Sequence, residues 1–139
     1  MSKPDMTQAR VMKIQKGTVI TLPSDFVDAI GQPYALVILV MKDKNVKLYP
    51  VDSGNVMYLK LEIEKLSKSF LEELTMVFEK AGLEDILFTS GICQAASQCY
   101  YECYFTPEQL KISPSDLELH MKQISGVQKV ILKKVPLTG

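Results

Sequence analysis

The sequence predicts an α+β protein in two parts, and three features predict it. A dense run of strand, turn and helix signals spans Lys16 to Gly31, an unbroken apolar segment follows at Tyr34–Met41, and the second half runs strand and helix patterns in the order β-α-β-β-α-β. Arg10 to Gln15 comes first, with Met12 and Ile14 on one face and Val11, Lys13 and Gln15 on the other, the period of two that a strand requires. Gly17 makes the turn. Thr18 to Leu22 alternates as a second strand, and Pro23 ends it because proline cannot donate to a ladder. A short helix follows, in which Ser24 is expected to cap the first amides and Asp25 suits the positive end. Phe26, Val27 and Ile30 form its apolar face, and Gly31 permits a left-handed exit. Two turns of helix cannot stand alone. Tyr34–Met41 reads as a strand covered on both faces, Lys42–Asn45 closes a hairpin onto Val46–Tyr49, and Pro50 is expected to stop that strand.

The residues Lys16, Gly17, Val19, Thr21, Pro23, Phe26, Ile30 and Gly31, in this order of elements, resemble the AbrB-like (SpoVT/AbrB) swapped-hairpin domain of bacterial and archaeal transcription factors and antitoxins. The resemblance covers residues 8–50 and implies a swapped-hairpin β-barrel formed by an intertwined dimer. Chain length agrees, because about 45 residues bury too little surface to fold alone, and a dimer would cover both faces of Tyr34–Met41. The resemblance also implies DNA binding, with Arg10, Lys13, Lys16 and Lys47 meeting phosphates and base edges. Thr18 stands where the family often has Arg, and Asp25 and Asp28 lie on a helix that often carries basic residues there. An AbrB-like fold without DNA binding is therefore the alternative.

Asp52–Asn55 is the short polar, glycine-bearing stretch taken as the boundary. Val56 to Glu64 then alternates as a strand. Ser69 and Glu72 are expected to form a capping box for a helix that places Phe70, Leu71, Leu74, Val77, Phe78 and Ala81 at helical spacing until Gly82. Ile86–Cys93 and Cys99–Phe105 read as a hairpin around Gln94–Gln98. Ser113-Pro114 opens a second helix, with Leu117, Met121 and Ile124 facing inward until Gly126, and Val127–Val135 is the last strand. This is the split βαβ of ferredoxin-like folds over residues 56–135. Its closing Gly126–Val135 segment resembles the last strand of an ACT domain, which implies amino-acid sensing or dimerisation. The turn Lys65–Ser69 lacks the glycine that amino-acid-binding ACT domains usually carry there, which favours dimerisation at least equally.

Sixteen basic and 16 acidic residues balance in the 139-residue chain, so total charge argues for neither nucleic acid nor membrane. Their distribution says more: residues 1–50 carry a net charge of +3 and the remainder −3, a basic head on an acidic body. The polar start reads as disordered over residues 1–7, and no apolar run approaches the roughly 20 residues of a membrane span. A cytoplasmic, reducing location without a disulfide framework is expected. Gly-rich phosphate loops, metal-spaced Cys/His sets and a Gly-x-Ser-x-Gly elbow are absent from the sequence, and the single histidine, His120, reads as structural or surface. Neither an enzyme nor a cofactor is expected. Cys99 and Cys103 share a strand face with Cys93 across the hairpin. They are read as small buried hydrophobes in preference to an oxidant sensor or soft-metal site. The sequence thus points to a dimeric DNA-binding transcriptional regulator with a C-terminal sensor or assembly domain. Its expected partners are DNA, a second copy and a small-molecule effector such as an amino acid. The alternative is a non-DNA-binding assembly or ligand-binding adaptor.

Overall fold

The computed structural model describes residues 6–138, so most of the disordered start expected over residues 1–7 lies outside the described residues. In chain order the elements are α1 (Ser24–Ile30), β1 (Tyr34–Val40), β2 (Asn45–Val51), β3 (Met57–Ile63), α2 (Lys68–Ala81), β4 (Ile86–Ala95), β5 (Gln98–Phe105), a 3-10 turn (Pro107–Gln109), α3 (Pro114–Lys122) and β6 (Val127–Lys134). The chain groups into two compact units, one ending at Gly31 and one beginning at Gln32.

The second unit is built on a four-stranded sheet of order β4-β5-β3-β6, antiparallel at every step. With α2 connecting β3 to β4 and α3 connecting β5 to β6, this is the ferredoxin-like βαββαβ topology. The period of two on β3 turns Leu59, Leu61 and Ile63 to one face, and on β5 it turns Cys99, Tyr101, Cys103 and Phe105 the same way. Phe70, Leu74, Phe78 and Ala81 of α2 meet them, with Leu117 and Met121 of α3 closing the other side. The inward faces anticipated for β3, α2 and α3 are those observed, except that Leu71, placed on the apolar face of α2, is 44% exposed.

The start of α2 differs from the expected capping box. Ser67, not Ser69, is the N-cap, and its hydroxyl accepts from the Phe70 amide at 3.1 Å. Starting two residues earlier puts Leu66 against the core while Phe70 points inward. The end of α2 is as expected. Gly82 takes φ +80°, its amide donates to Glu79, and the Leu83 amide reaches the Phe78 carbonyl at 2.9 Å, which completes a Schellman cap. A Cβ at Gly82 would lie 2.9 Å from the Gln109 carbonyl oxygen. Gly82→Ala is therefore expected to cost about 2 kcal/mol or more, read as a lower urea midpoint at unchanged slope; a loss below about 0.5 kcal/mol would contradict the cap assignment. The second helix is capped by Ser113 as expected, its hydroxyl accepting from Asp116 at 3.1 Å, but α3 stops at Lys122. Ile124 still enters the core from the turn that follows, and Gly126 carries φ +87°.

The hairpin β1–β2 corrects one expectation. Strand β2 runs on through Pro50, paired opposite Ala35, instead of stopping there. β2 has a single ladder partner, and a strand paired on one side only is where a sheet tolerates proline. The hairpin also packs against the side of the main sheet opposite the helices. Leu36, Ile38, Val51 and Val56 form a second core with Tyr49, Leu87, Phe88, Tyr104 and Val135. An irregularity in β4 makes this possible: Ile86 pairs Phe105 and Phe88 pairs Tyr104, which leaves Leu87 as an extra residue. Ile86 then serves the first core while Leu87 and Phe88 serve the second. Within the single chain one face of Tyr34–Val40 is covered. On the other, Val37 is 52% and Leu39 65% exposed.

In the first unit, Arg10–Gln15 and Thr18–Leu22 carry no strand in the single chain. Two extended legs without further strands form no stable ladder. The cap also differs: α1 begins at Ser24 with Pro23 at the N-cap and no side-chain cap, while Asp25 accepts from the Phe26 amide at 2.9 Å. Gly31 takes the left-handed exit at φ +66°. The expectation of no disulfide is overturned as well. The β4–β5 register sets Cys93 directly opposite Cys99, their Cα atoms 4.0 Å apart, and the two sulfurs are bonded.

Candidate nucleic-acid interface

The basic residues singled out in the sequence fall in two places. Arg10, Lys13 and Lys16 belong to the first unit and all are exposed. Lys16 and Gly17 occupy the two central positions of a turn closed by three hydrogen bonds. The Thr18 amide donates to the Gln15 carbonyl at 3.0 Å, the Thr18 hydroxyl donates to the same oxygen at 2.7 Å, and the Gln15 amide donates back to that hydroxyl at 2.8 Å. Gly17 at φ +81° supplies the left-handed position, so the lysine ammonium is presented at the tip of a locally ordered turn. Farther from the tip, the Arg10 guanidinium donates to the Thr21 carbonyl and ties one leg to the other. The sequence carries no signal for this bond, because it depends on the backbone positions of both legs.

Lys47 lies on the second unit, opposite Ile38, with its ammonium 5.5 Å from the centre of the Phe88 ring. That cation–π contact sits beside the second core. Asp25, one of the two carboxylates expected to oppose a polyanion, accepts from the Gln8 side chain at 2.8 Å as well as from its own helix.

The first unit is also rich in exposed apolar side chains. No residue from Met6 to Gly31 is buried; Ile14 and Val19 are nearly 80% exposed, and Ile20, Phe26 and Val27 are open to solvent. The outward face of the hairpin in the second unit has the same character. Val37 and Leu39 on β1 stand beside Val46 and Leu48 on β2, the pairs Val37–Leu48 and Leu39–Val46 being directly opposite. Apolar patches of this kind mark an interface.

The second unit holds a groove of about 510 Å³ that the sequence did not signal, because its walls come from distant segments. Tyr34, Val37, Val51, Val56 and Leu137 line it, together with the polar side chains of Ser53 and Thr138. Gly54 forms part of it by necessity: a Cβ there would lie 3.2 Å from both Leu137 and Tyr34. The stretch read as a boundary is thus ordered, with the Ser53 hydroxyl donating to Glu108 at 2.9 Å and accepting from the Asn55 amide at 3.1 Å. At the Lys65–Ser69 turn the Leu66 side chain lies over Gly91. His120 is exposed at the end of α3. Among the described residues no cluster of His, Cys, Asp and Glu is arranged to hold a metal ion, and no helix is long and apolar enough to cross a membrane.

The fold defines the class: an α+β protein with a ferredoxin-like sheet. No family model matches the sequence, and no curated protein matches it. Among solved structures, the chain is similar to the P2 domain of the chemotaxis kinase CheA from the thermophile Thermotoga maritima, solved in complex with the response regulator CheY. Identity is 14%, the TM-score is 0.38, and the match covers 58% of this chain and 98% of that one.

Proposed function

We propose that this chain is a dimeric DNA-binding transcriptional regulator. Residues 8–50 of two copies form an AbrB-like swapped-hairpin barrel, and the ferredoxin-like domain serves as a sensor or assembly module. The observation that carries the reading is the pairing of exposed apolar side chains, on the first unit and on the outward hairpin face, with the exposed cations Arg10, Lys13 and Lys16. Dimerisation removes the first from water and doubles the second on one particle. No catalytic role is assigned to any residue.

Lys16→Ala tests the reading. Two copies lose two phosphate contacts, so the slope of log affinity against log salt should flatten by about two units with the dimer intact; an unchanged slope sinks the DNA assignment. Lys47→Ala should change the slope far less, because that ammonium is engaged by Phe88.

The contact of Lys47 with Phe88 and the presence of Asp25 and Asp28 on α1 favour a second reading, an assembly or ligand-binding adaptor without DNA. The groove beside Tyr34 and Leu137 is where a small effector such as an apolar amino acid would bind. At a hundred times its dissociation constant such a ligand adds about 2.7 kcal/mol, visible as a raised melting temperature. If no amino acid raises it, assembly is the preferred role of this domain.

A further inference from the structure

We propose that Cys93–Cys99 is a reversible thiol–disulfide exchange site, entered at Cys93 by the thiolate of an external dithiol, and that it sets the order of the β4–β5 tip. The placement of the bridge is the first argument. It joins residues only six apart in sequence, across a hairpin whose turn residues Ala96 and Ser97 are already enclosed by the pair Ala95–Gln98. Loop closure by a disulfide stabilises least when the loop is short, and here the ladder closes the loop by itself. The bridge is not needed to bring the strands together.

The asymmetry of its two sulfurs is the second argument. Cys93 is exposed, whereas Cys99 is 4% exposed and packed in the first core. An attacking thiolate therefore reaches the Cys93 sulfur, with Cys99 as the leaving group. The third cysteine does not compete. Cys103 is fully buried, and burial pushes its thiol up to about 12, so it stays protonated.

The exchange runs in two steps. The external thiolate bonds to the Cys93 sulfur while the Cys93–Cys99 bond breaks, and the electron pair leaves on the Cys99 sulfur, which takes a proton from water. The second thiol of the dithiol then gives up its proton and attacks the mixed disulfide at the external sulfur. Cys93 is released as a thiol and the dithiol leaves oxidised. The protein gains two electrons and two protons.

The tip is poised to respond. The β4–β5 register shifts between Cys93 and Ala95, and every residue from Cys93 to Gln98 is exposed. With the bond broken, no buried side chain between these two cysteines holds the end of the hairpin.

The test uses the full chain with dithiothreitol as the probe. In air-equilibrated native protein no cysteine should react with N-ethylmaleimide. After native reduction Cys93 should react first and Cys99 next, with Cys103 reacting only in denaturant. The oxidised fraction should follow a two-electron titration that is the same from either direction. On reduction, amides of residues 92–99 should exchange with solvent at least about tenfold faster, with those of β3 unchanged. Cys93→Ser should match the reduced protein. If the bond resists native reduction, if Cys93 and Cys99 are free in air, or if exchange at the tip does not change, the proposal falls.

Discussion

Leu39→Asp is expected to abolish the proposed dimer while leaving the ferredoxin-like sheet folded. Leu39 points away from the second core and is 65% exposed in the single chain, so an aspartate there stays solvated and costs the isolated chain little. In the dimer it would be a buried, unpaired charge, which raises the dissociation constant by at least about a thousandfold, or about 4 kcal/mol. Light scattering at micromolar concentration should report two chains for the natural sequence and one for the variant, with far-ultraviolet circular dichroism retained. Ile38→Asp, one residue away, is the contrast. Ile38 is 6% exposed against the main sheet, so its replacement should destabilise the single chain itself. A dimer that survives Leu39→Asp would show that the outward hairpin face is not the interface.

Phe70→Ala is expected to remove about 3–5 kcal/mol, a large share of the stability of a domain this size. The ring is 2% exposed at the first turn of α2 and meets Tyr101 edge to face, with centroids 6.3 Å apart. Truncation leaves a cavity between α2 and β5 that the helix cannot fill, because Ser67 and Gly82 pin its two ends. Phe70→Leu should recover more than half of the loss. Urea unfolding measures both, and a cost below about 1 kcal/mol for Phe70→Ala would place Phe70 outside the core.

The sequence was most legible where periodicity and chemistry agree. Leu59, Leu61 and Ile63 alternate without exception, Leu117 and Met121 are one turn apart, and Gly82 is the only residue type that takes its φ without strain. It was less legible where two residues compete for one role. Ser67 and Ser69 both precede the helix, and the choice between them rests on which start turns Phe70 and Leu66 inward, a fact about the neighbouring sheet. Periodicity also names a buried face without naming what covers it. The run Tyr34–Met41 is apolar on both sides, and nothing local says that Leu36 and Ile38 meet Phe88 and Tyr104 while Val37 and Leu39 lie on the outward face of the hairpin beside Val46 and Leu48. The extra residue Leu87 and the pairing of Cys93 with Cys99 depend on register, which a single strand does not encode. The groove beside Leu137 was invisible for the same reason. For the candidate site, the Lys16–Gly17 turn could be read residue by residue, whereas the contacts of Lys47 and Arg10 required the three-dimensional arrangement.

The affinity of the natural protein for duplex DNA as a function of salt tests the proposed function most directly. Arg10, Lys13 and Lys16 occur twice in a dimer, and four to six phosphate contacts give a slope of roughly −4 to −5 between about 50 and 200 mM salt. No retardation of any duplex at about 50 mM salt, or a slope shallower than about −2, would contradict DNA binding through these residues and leave the adaptor reading in its place.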